Sequence, residues 1–429
     1  MESGLNDKRI IRAWSFFDWA NSAFALVISV AIFPAYFIST TPDTIPVLHW
    51  ELSNSAVFSY SISFAYLIIV LILPFLSGLA DYSGKRKVYL KAFTWIGSLA
   101  CISLFFFSGP QTLWIGLIAF VLAQIGFDGG KVFYNSYLPI ISSTDRYDKV
   151  SAQGFAYGYI GSVLLLLVNL IMVQYPALFG LPEGNMAARI SFVMVGLWWI
   201  GFAQIPFRRL PRDRKGPMYR GMKQGMLRLR AVWYELWPQK NTVRFLISFF
   251  FYSTGVQTVL YLAATFAEKE LNFETANLII VILILQIVAI GGAYLFAWIS
   301  RRRGNKISLI TMLLIWMIVC FLAYITHETI QFYIVAALVG LVMGGIQATS
   351  RASFAKLLEG QEEDELNSYF SFYEVLEKLA IVFGTFSFGL IDQLSGSMRN
   401  SILALALYFV IGIIVLTRVR FSHSSPPPS

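Results

Sequence analysis

Charge is what this chain has least of. Asp, Glu, Lys and Arg make up 13% of its 429 residues, about half of what a water-soluble domain carries, which excludes an ordinary soluble fold. Cysteine is rarer still: Cys101 and Cys320 each sit inside an apolar run, excluding a disulfide framework or a thiolate metal site. The histidines, His49, His327 and His423, are scattered through loops and tail. No nucleophile and base are grouped and no carboxylates stand at metal-ligand spacing, so no enzyme, metal site or cofactor is expected. The paired glycines Gly129–Gly130, Gly291–Gly292 and Gly344–Gly345 lie in apolar stretches and follow no strand, which favours close helix packing over phosphate cradling.

Apolar residues fill the space that charge leaves. They make up 57% of the chain, with a mean hydropathy of +0.65. The net charge of +9 comes from Lys and Arg at the ends of apolar segments, a pattern that points to a bilayer and away from nucleic acid. Twelve segments approach the roughly 20 residues a helix needs to cross a hydrocarbon core. They are Arg12–Ile38, Ser55–Ala80, Val88–Ser108, Gln111–Pro139, Ser151–Gln174, Ala188–Phe207, Arg244–Ala267, Ala276–Ile299, Ser308–Thr326, Gln331–Ala355, Asn367–Ile391 and Asn400–Thr417. The first run is too long for a cleavable signal and lacks a small-residue cleavage site, so it is expected to remain as a span. Lys85–Lys87, Arg146 and Lys149, Arg208–Arg230 and Arg301–Lys306 mark one set of loops, whereas Ser39–Asn54 has no Lys or Arg. That asymmetry puts both termini in the cytoplasm.

The interruption Arg208–Asn241 falls midway. It divides the chain into an N-terminal six-helix bundle (1–207), a basic cytoplasmic linker (208–241), a C-terminal six-helix bundle (242–420) and a tail (421–429) expected to be disordered. Within the linker Met218, Met222, Met226, Leu229, Trp233 and Leu236 recur at helical spacing, with Arg220, Lys223, Arg228 and Arg230 on other faces. That suits an interfacial helix on an anionic leaflet; Pro217, Gly221 and Gly225 also fit a basic connector of no fixed conformation. The charged hinge Ser77–Lys87 is echoed by Ala297–Lys306, and aligning Gly84 with Gly304 gives an offset of 304 − 84 = 220 residues, as two fused copies of one bundle would produce. The expected fold class is therefore an all-α membrane protein with twelve transmembrane helices in two pseudo-symmetric six-helix bundles.

The hinge resembles the signature loop of the major facilitator superfamily. Leu79, Ala80, Asp81, Gly84, Lys85 and Arg86 match that pattern, while Ser77 stands in place of Gly and Tyr82 in place of a basic residue. Asp81, Gly84, Lys85 and Arg86 form the expected conformational latch: Gly84 permits the tight turn and Asp81 can accept hydrogen bonds from a helix terminus. In the second copy Arg301 replaces the Asp, so that loop is expected to lack an equivalent latch. A narrower resemblance, to the vacuole-effluxer branch, runs through Phe16–Phe24, Val132–Pro139, Val150–Gly161, Gly255–Thr258 and Gly344–Arg351. It departs where the branch usually has Asn-Asp, because here Ser253 and Thr254 precede Gly255. The resemblance implies secondary active transport of amino acids or other small metabolites by alternating access. It also implies that spans one, four, seven and ten surround the central cavity.

Polar residues inside apolar helices are the site candidates, because burying them in a membrane is costly. Asn21, Lys131, Asn135, Tyr252, Gln257, Gln347 and Arg351 are the expected cavity residues, and Asp18, Asp128 and Glu377 the expected proton-coupling residues. Asp18 could pair with Lys131, with Asp128 competing for the same ammonium, either as a static pin or as a proton-responsive set. Arg351 has the planar fork that holds a carboxylate or phosphate, and it could equally snorkel or cap at a helix end. Glu374 and Lys378 have same-face spacing, leaving Glu377 on an adjacent face, unless the helix begins late enough to leave all three at the interface. The expected protein is a monomeric symporter or antiporter in a bacterial inner or plasma membrane, its partners a small-molecule substrate, the lipid bilayer and protons. A non-transporting sensor or scaffold that keeps the fold is the alternative; a channel or a membrane enzyme is the more distant one.

Overall fold

The computed structural model describes residues 5–47, 50–182, 184–213, 221–271, 273, 275–395 and 398–421. Outside them lie His49, Pro217, Met218, Arg220 and the tail from Ser422, His423 included; among the linker positions, the side chains of Met222, Lys223, Met226, Arg228 and Leu229 are likewise undescribed. Among the described residues, twelve long helices follow one another: α1 Lys8–Thr40, α2 Asn54–Ser83, α3 Arg86–Ser103, α4 Leu113–Asn135, α5 Tyr147–Gln174, α6 Met186–Arg209, α7 Lys240–Leu271, α8 Thr275–Arg303, α9 Asn305–Ile325, α10 Thr329–Leu357, α11 Leu366–Ser395 and α12 Met398–Thr417. A shorter linker helix, Gly221–Leu236, lies between α6 and α7. Among the described residues, eleven helices are long and apolar enough to cross a membrane. The exception, α11, carries Glu374, Glu377, Lys378 and Asp392 within its 30 residues.

Two local features depart from plain helix and loop. Residues Phe24–Ile32 of α1 are π-helical, a form that widens the turn and recurs at functional sites. The loop after α1, which holds no Lys or Arg, pairs β1 Thr44–Val47 antiparallel with β2 Trp50–Ser53, Thr44 opposite Ser53 and Val47 opposite Trp50. Ser53 then caps α2, its hydroxyl accepting from the Ala56 N–H at 3.2 Å, which satisfies one orphan donor of the first turn.

The chain divides into two compact units, Lys8–Tyr134 with Tyr157–Gly225, and Met1–Asp7 with Asn135–Ala156 and Met226–Ser429. The segment 135–156, which sequence reading assigns to the first half, thus groups with 226–429. The first unit is aromatic at its core: Trp14 stacks on Tyr134 with centroids 4.4 Å apart and donates its indole N–H to the Tyr134 carbonyl at 3.0 Å.

The second unit relies on small residues where α8 meets α10. A Cβ at Gly344 would run into the Ala289 carbonyl, and one at Gly292 into the Leu341 carbonyl, whereas Gly291 has open space. Small residues let two backbones touch where hydrocarbon on both sides removes any hydrophobic drive to associate. Gly344→Val is therefore expected to destabilise the protein by at least about 1–3 kcal/mol, read as a lowered melting temperature in detergent. Gly291→Ala serves as the control and should leave it unchanged or slightly raised.

Candidate functional site

In the first unit, α1 and α4 bring their polar residues together. Asp18 is buried and accepts from the Tyr134 hydroxyl at 2.7 Å, a ring held by stacking on Trp14 at 4.4 Å and Phe17 at 4.9 Å. One turn on, Asn21 is buried with its side-chain oxygen lacking a donor. On α4, Asp128 accepts from the Gln124 amide at 2.5 Å, and Gln124 accepts in turn from Ser29 of the π-helical turn at 3.2 Å. Lys131 lies 3.6 Å from Asp128 and 4.8 Å over the Phe127 ring. Asp128 is thus a neighbour of Lys131, as its position one turn away suggested.

The second unit holds a continuous run of polar side chains. Arg351 on α10 is buried. Its Nε donates to Ser151 Oγ at 2.9 Å, Nη2 to the Ser151 carbonyl at 2.8 Å, and Nη1 to Asn135 Oδ1 at 3.1 Å. Its guanidinium also lies 4.3 Å over the Phe155 ring. Asn135 donates to Glu374 Oε1 at 2.7 Å, and Glu374 is 4.0 Å from Lys378. Lys378 contacts Glu377 at 3.0 Å, and Gln257 of α7 donates to Glu377 at 3.0 Å. Because α11 begins at Leu366, the three charges lie two to three turns inside it, with Glu374 and Lys378 both buried. The late-starting helix that would have left them at the interface is ruled out. Beside the run, the Tyr252 and Ser350 hydroxyls are 2.8 Å apart, and Gln347 is half-buried.

Segment 135–156 has further anchors that sequence reasoning did not find. Ser136 donates to Asn367 at 2.6 Å. Asp148 accepts from Lys356 at 2.6 Å and from Asn305 at 2.7 Å, while Asn305 accepts from Lys356 at 2.7 Å. In the second loop, where Arg301 stands in place of an Asp, Asn305 thus bridges Asp148 and Lys356, its amide serving as donor and acceptor together. In the first loop, Gly84 adopts φ 64° and ends α2, the left-handed turn that favours glycine. Asp81 is buried. In the first turn of α3 the Lys87 and Val88 N–H groups donate to the carboxylate of Asp213 at 2.7 and 3.0 Å. Lys85 is the N-cap residue and Arg86 the first residue of α3. Ser136, Asp148 and Ser151 sit in runs quoted for their resemblance or beside them, yet small polar residues are too common in helices for any single one to signal a contact.

Ser253 and Thr254, where the branch usually has Asn-Asp, are buried. Thr254 turns its hydroxyl onto the Phe250 carbonyl at 2.8 Å, and its backbone packs against Gly384 of α11. The position that would hold a carboxylate is therefore closed onto its own helix.

The family model described as "Vacuole effluxer Atg22 like" matches residues 6–426. The chain belongs to this family. Among curated proteins it is 30% identical over 418 residues to an uncharacterized MFS-type transporter, YxiO, of Bacillus subtilis, covering 95% of this chain and 94% of that one. It is 22% identical over 476 residues to autophagy-related protein 22-2 of Aspergillus clavatus, covering 87% and 76%. Among solved structures, the transporter FucP in an outward conformation aligns with TM-score 0.70 at 11% identity, over 96% of this chain and 99% of that one. The proton:xylose symporter XylE aligns with TM-score 0.72 at 15% identity, over 96% of each. The protein is an integral membrane transporter with the major facilitator fold, twelve spanning helices in two halves, and its relatives place it among transporters and not enzymes.

Proposed function

We propose that this family member moves a small polar metabolite, an amino acid or similar, by alternating access, with a proton gradient as the driving force. The observation that carries the reading is the buried run Ser151–Arg351–Asn135–Glu374–Lys378–Glu377–Gln257. Ionisable groups inside a membrane segment are expensive, and a static scaffold could replace them with apolar packing of equal volume. A run that can exchange partners suits a protein that must open. Asp18 and Asp128 supply a second pair of carboxylates, and Asn21, with its unmatched acceptor, supports a place for a donor on the substrate.

The reading is tested with purified protein in liposomes loaded with mixed amino acids. Saturable counter-flow of at least one labelled amino acid is expected, with uptake increased by an imposed pH gradient. Chemically unchanged substrate with no counter-flow across the metabolite set would favour a sensor or scaffold. Asp18→Asn is expected to abolish the pH dependence of transport; near-normal uptake with unchanged pH dependence removes Asp18 from the coupling.

A further inference from the structure

The linker helix Gly221–Leu236 presents two unlike faces. Val232 and Leu236 are buried, whereas Leu227, Trp233, Tyr234 and Trp237 are 55%, 47%, 61% and 66% exposed. Arg230 stands among them, its guanidinium 5.6 Å over the Tyr234 ring. The exposed face thus combines large aromatics with a cation, the pairing found where a helix lies in the headgroup layer. From Arg208 to Arg230 the sequence is dense in Lys and Arg, and Asp213 is the only acid.

The helix is also tethered close to a span. A tight turn, with Gln239 N–H donating to the Leu236 carbonyl at 3.0 Å and Lys240 N–H to the Pro238 carbonyl at 2.8 Å, leads directly into α7. Four peptide units from Leu236 to Lys240 reach about 14 Å at most, so the helix end stays close to the start of α7. It is fastened to α11 as well, through Trp233 against Phe372 with centroids 5.5 Å apart and Gln239 donating to Tyr369 at 3.3 Å.

We propose that Leu227, Arg230, Trp233, Tyr234 and Trp237 form a docking surface for anionic phospholipid headgroups, with the aromatic rings at headgroup depth and the basic side chains on the phosphates. Each basic residue near such a surface strengthens binding about fivefold at low salt.

The full chain is tested as Leu227→Cys carrying a nitroxide, since Cys101 and Cys320 are buried. It is reconstituted in phosphatidylcholine vesicles with and without phosphatidylglycerol. With the anionic lipid, position 227 is expected to gain oxygen accessibility and lose contact with a water-soluble nickel chelate, and high salt should reverse both changes. Adding Arg230→Gln should weaken the response about fivefold. The same environment in both lipids, whether aqueous or buried against protein, overturns the proposal. So does a lipid response that neither salt nor Arg230→Gln alters.

Discussion

Lys378→Met is expected to lower stability more than any other single substitution in α11. Lys378 lies between Glu377 at 3.0 Å and Glu374 at 4.0 Å, with Lys378 and Glu374 both buried. Removing the cation deletes the ammonium that both carboxylates contact, a loss of about 3–5 kcal/mol when one partner of a buried pair is removed. Transport should be lost with it. Thermal unfolding in detergent reads the effect, and pairing Lys378→Met with Glu377→Gln should recover part of the lost stability, because Gln keeps a partner for Gln257 without the charge. A Lys378→Met protein that melts like the wild type would show that the three charges are not held together.

Arg351→Lys tests the other end of the run. Lysine keeps the charge but cannot reproduce a planar fork that reaches Ser151 Oγ, the Ser151 carbonyl and Asn135 at once, nor stack as well on Phe155. Losing about two hydrogen bonds to a charged group removes about 3 kcal/mol. The opening equilibrium of segment 135–156 should then rise roughly a hundredfold. Hydrogen–deuterium exchange of peptides from that segment reads it directly. Exchange unchanged from wild type would mean that Arg351 does not hold the segment.

The spans were legible because a run of about 20 apolar residues has few other fates in a membrane protein, and Gly84 was legible because a left-handed turn selects glycine. The Glu374–Lys378 pairing could be read from four-residue spacing alone. Contacts between residues two hundred positions apart could not. Nothing local in Arg351 distinguishes a fork closed on Ser151 and Asn135 from one left free for a substrate. Ser151, Asp148 and Asn305 look like ordinary helix residues until the fold brings them to Arg351 and Lys356. The strands Thr44–Val47 and Trp50–Ser53 escaped because four-residue strands beside long helices carry almost no periodic signal. The π-helical turn in α1 escaped because Phe24–Ile32 reads as any apolar helix would.

Alternating access as proposed for this protein requires the contacts between segment 135–156 and α11 to break in every transport cycle. Ser136 and Asn367 touch at 2.6 Å, so Ser136→Cys with Asn367→Cys should form a disulfide on mild oxidation. Substrate counter-flow by the double variant in liposomes is the measurement. Oxidation is predicted to stop counter-flow and a reductant to restore it, while each single variant continues regardless. Full-rate counter-flow by protein shown to be quantitatively cross-linked would contradict the account.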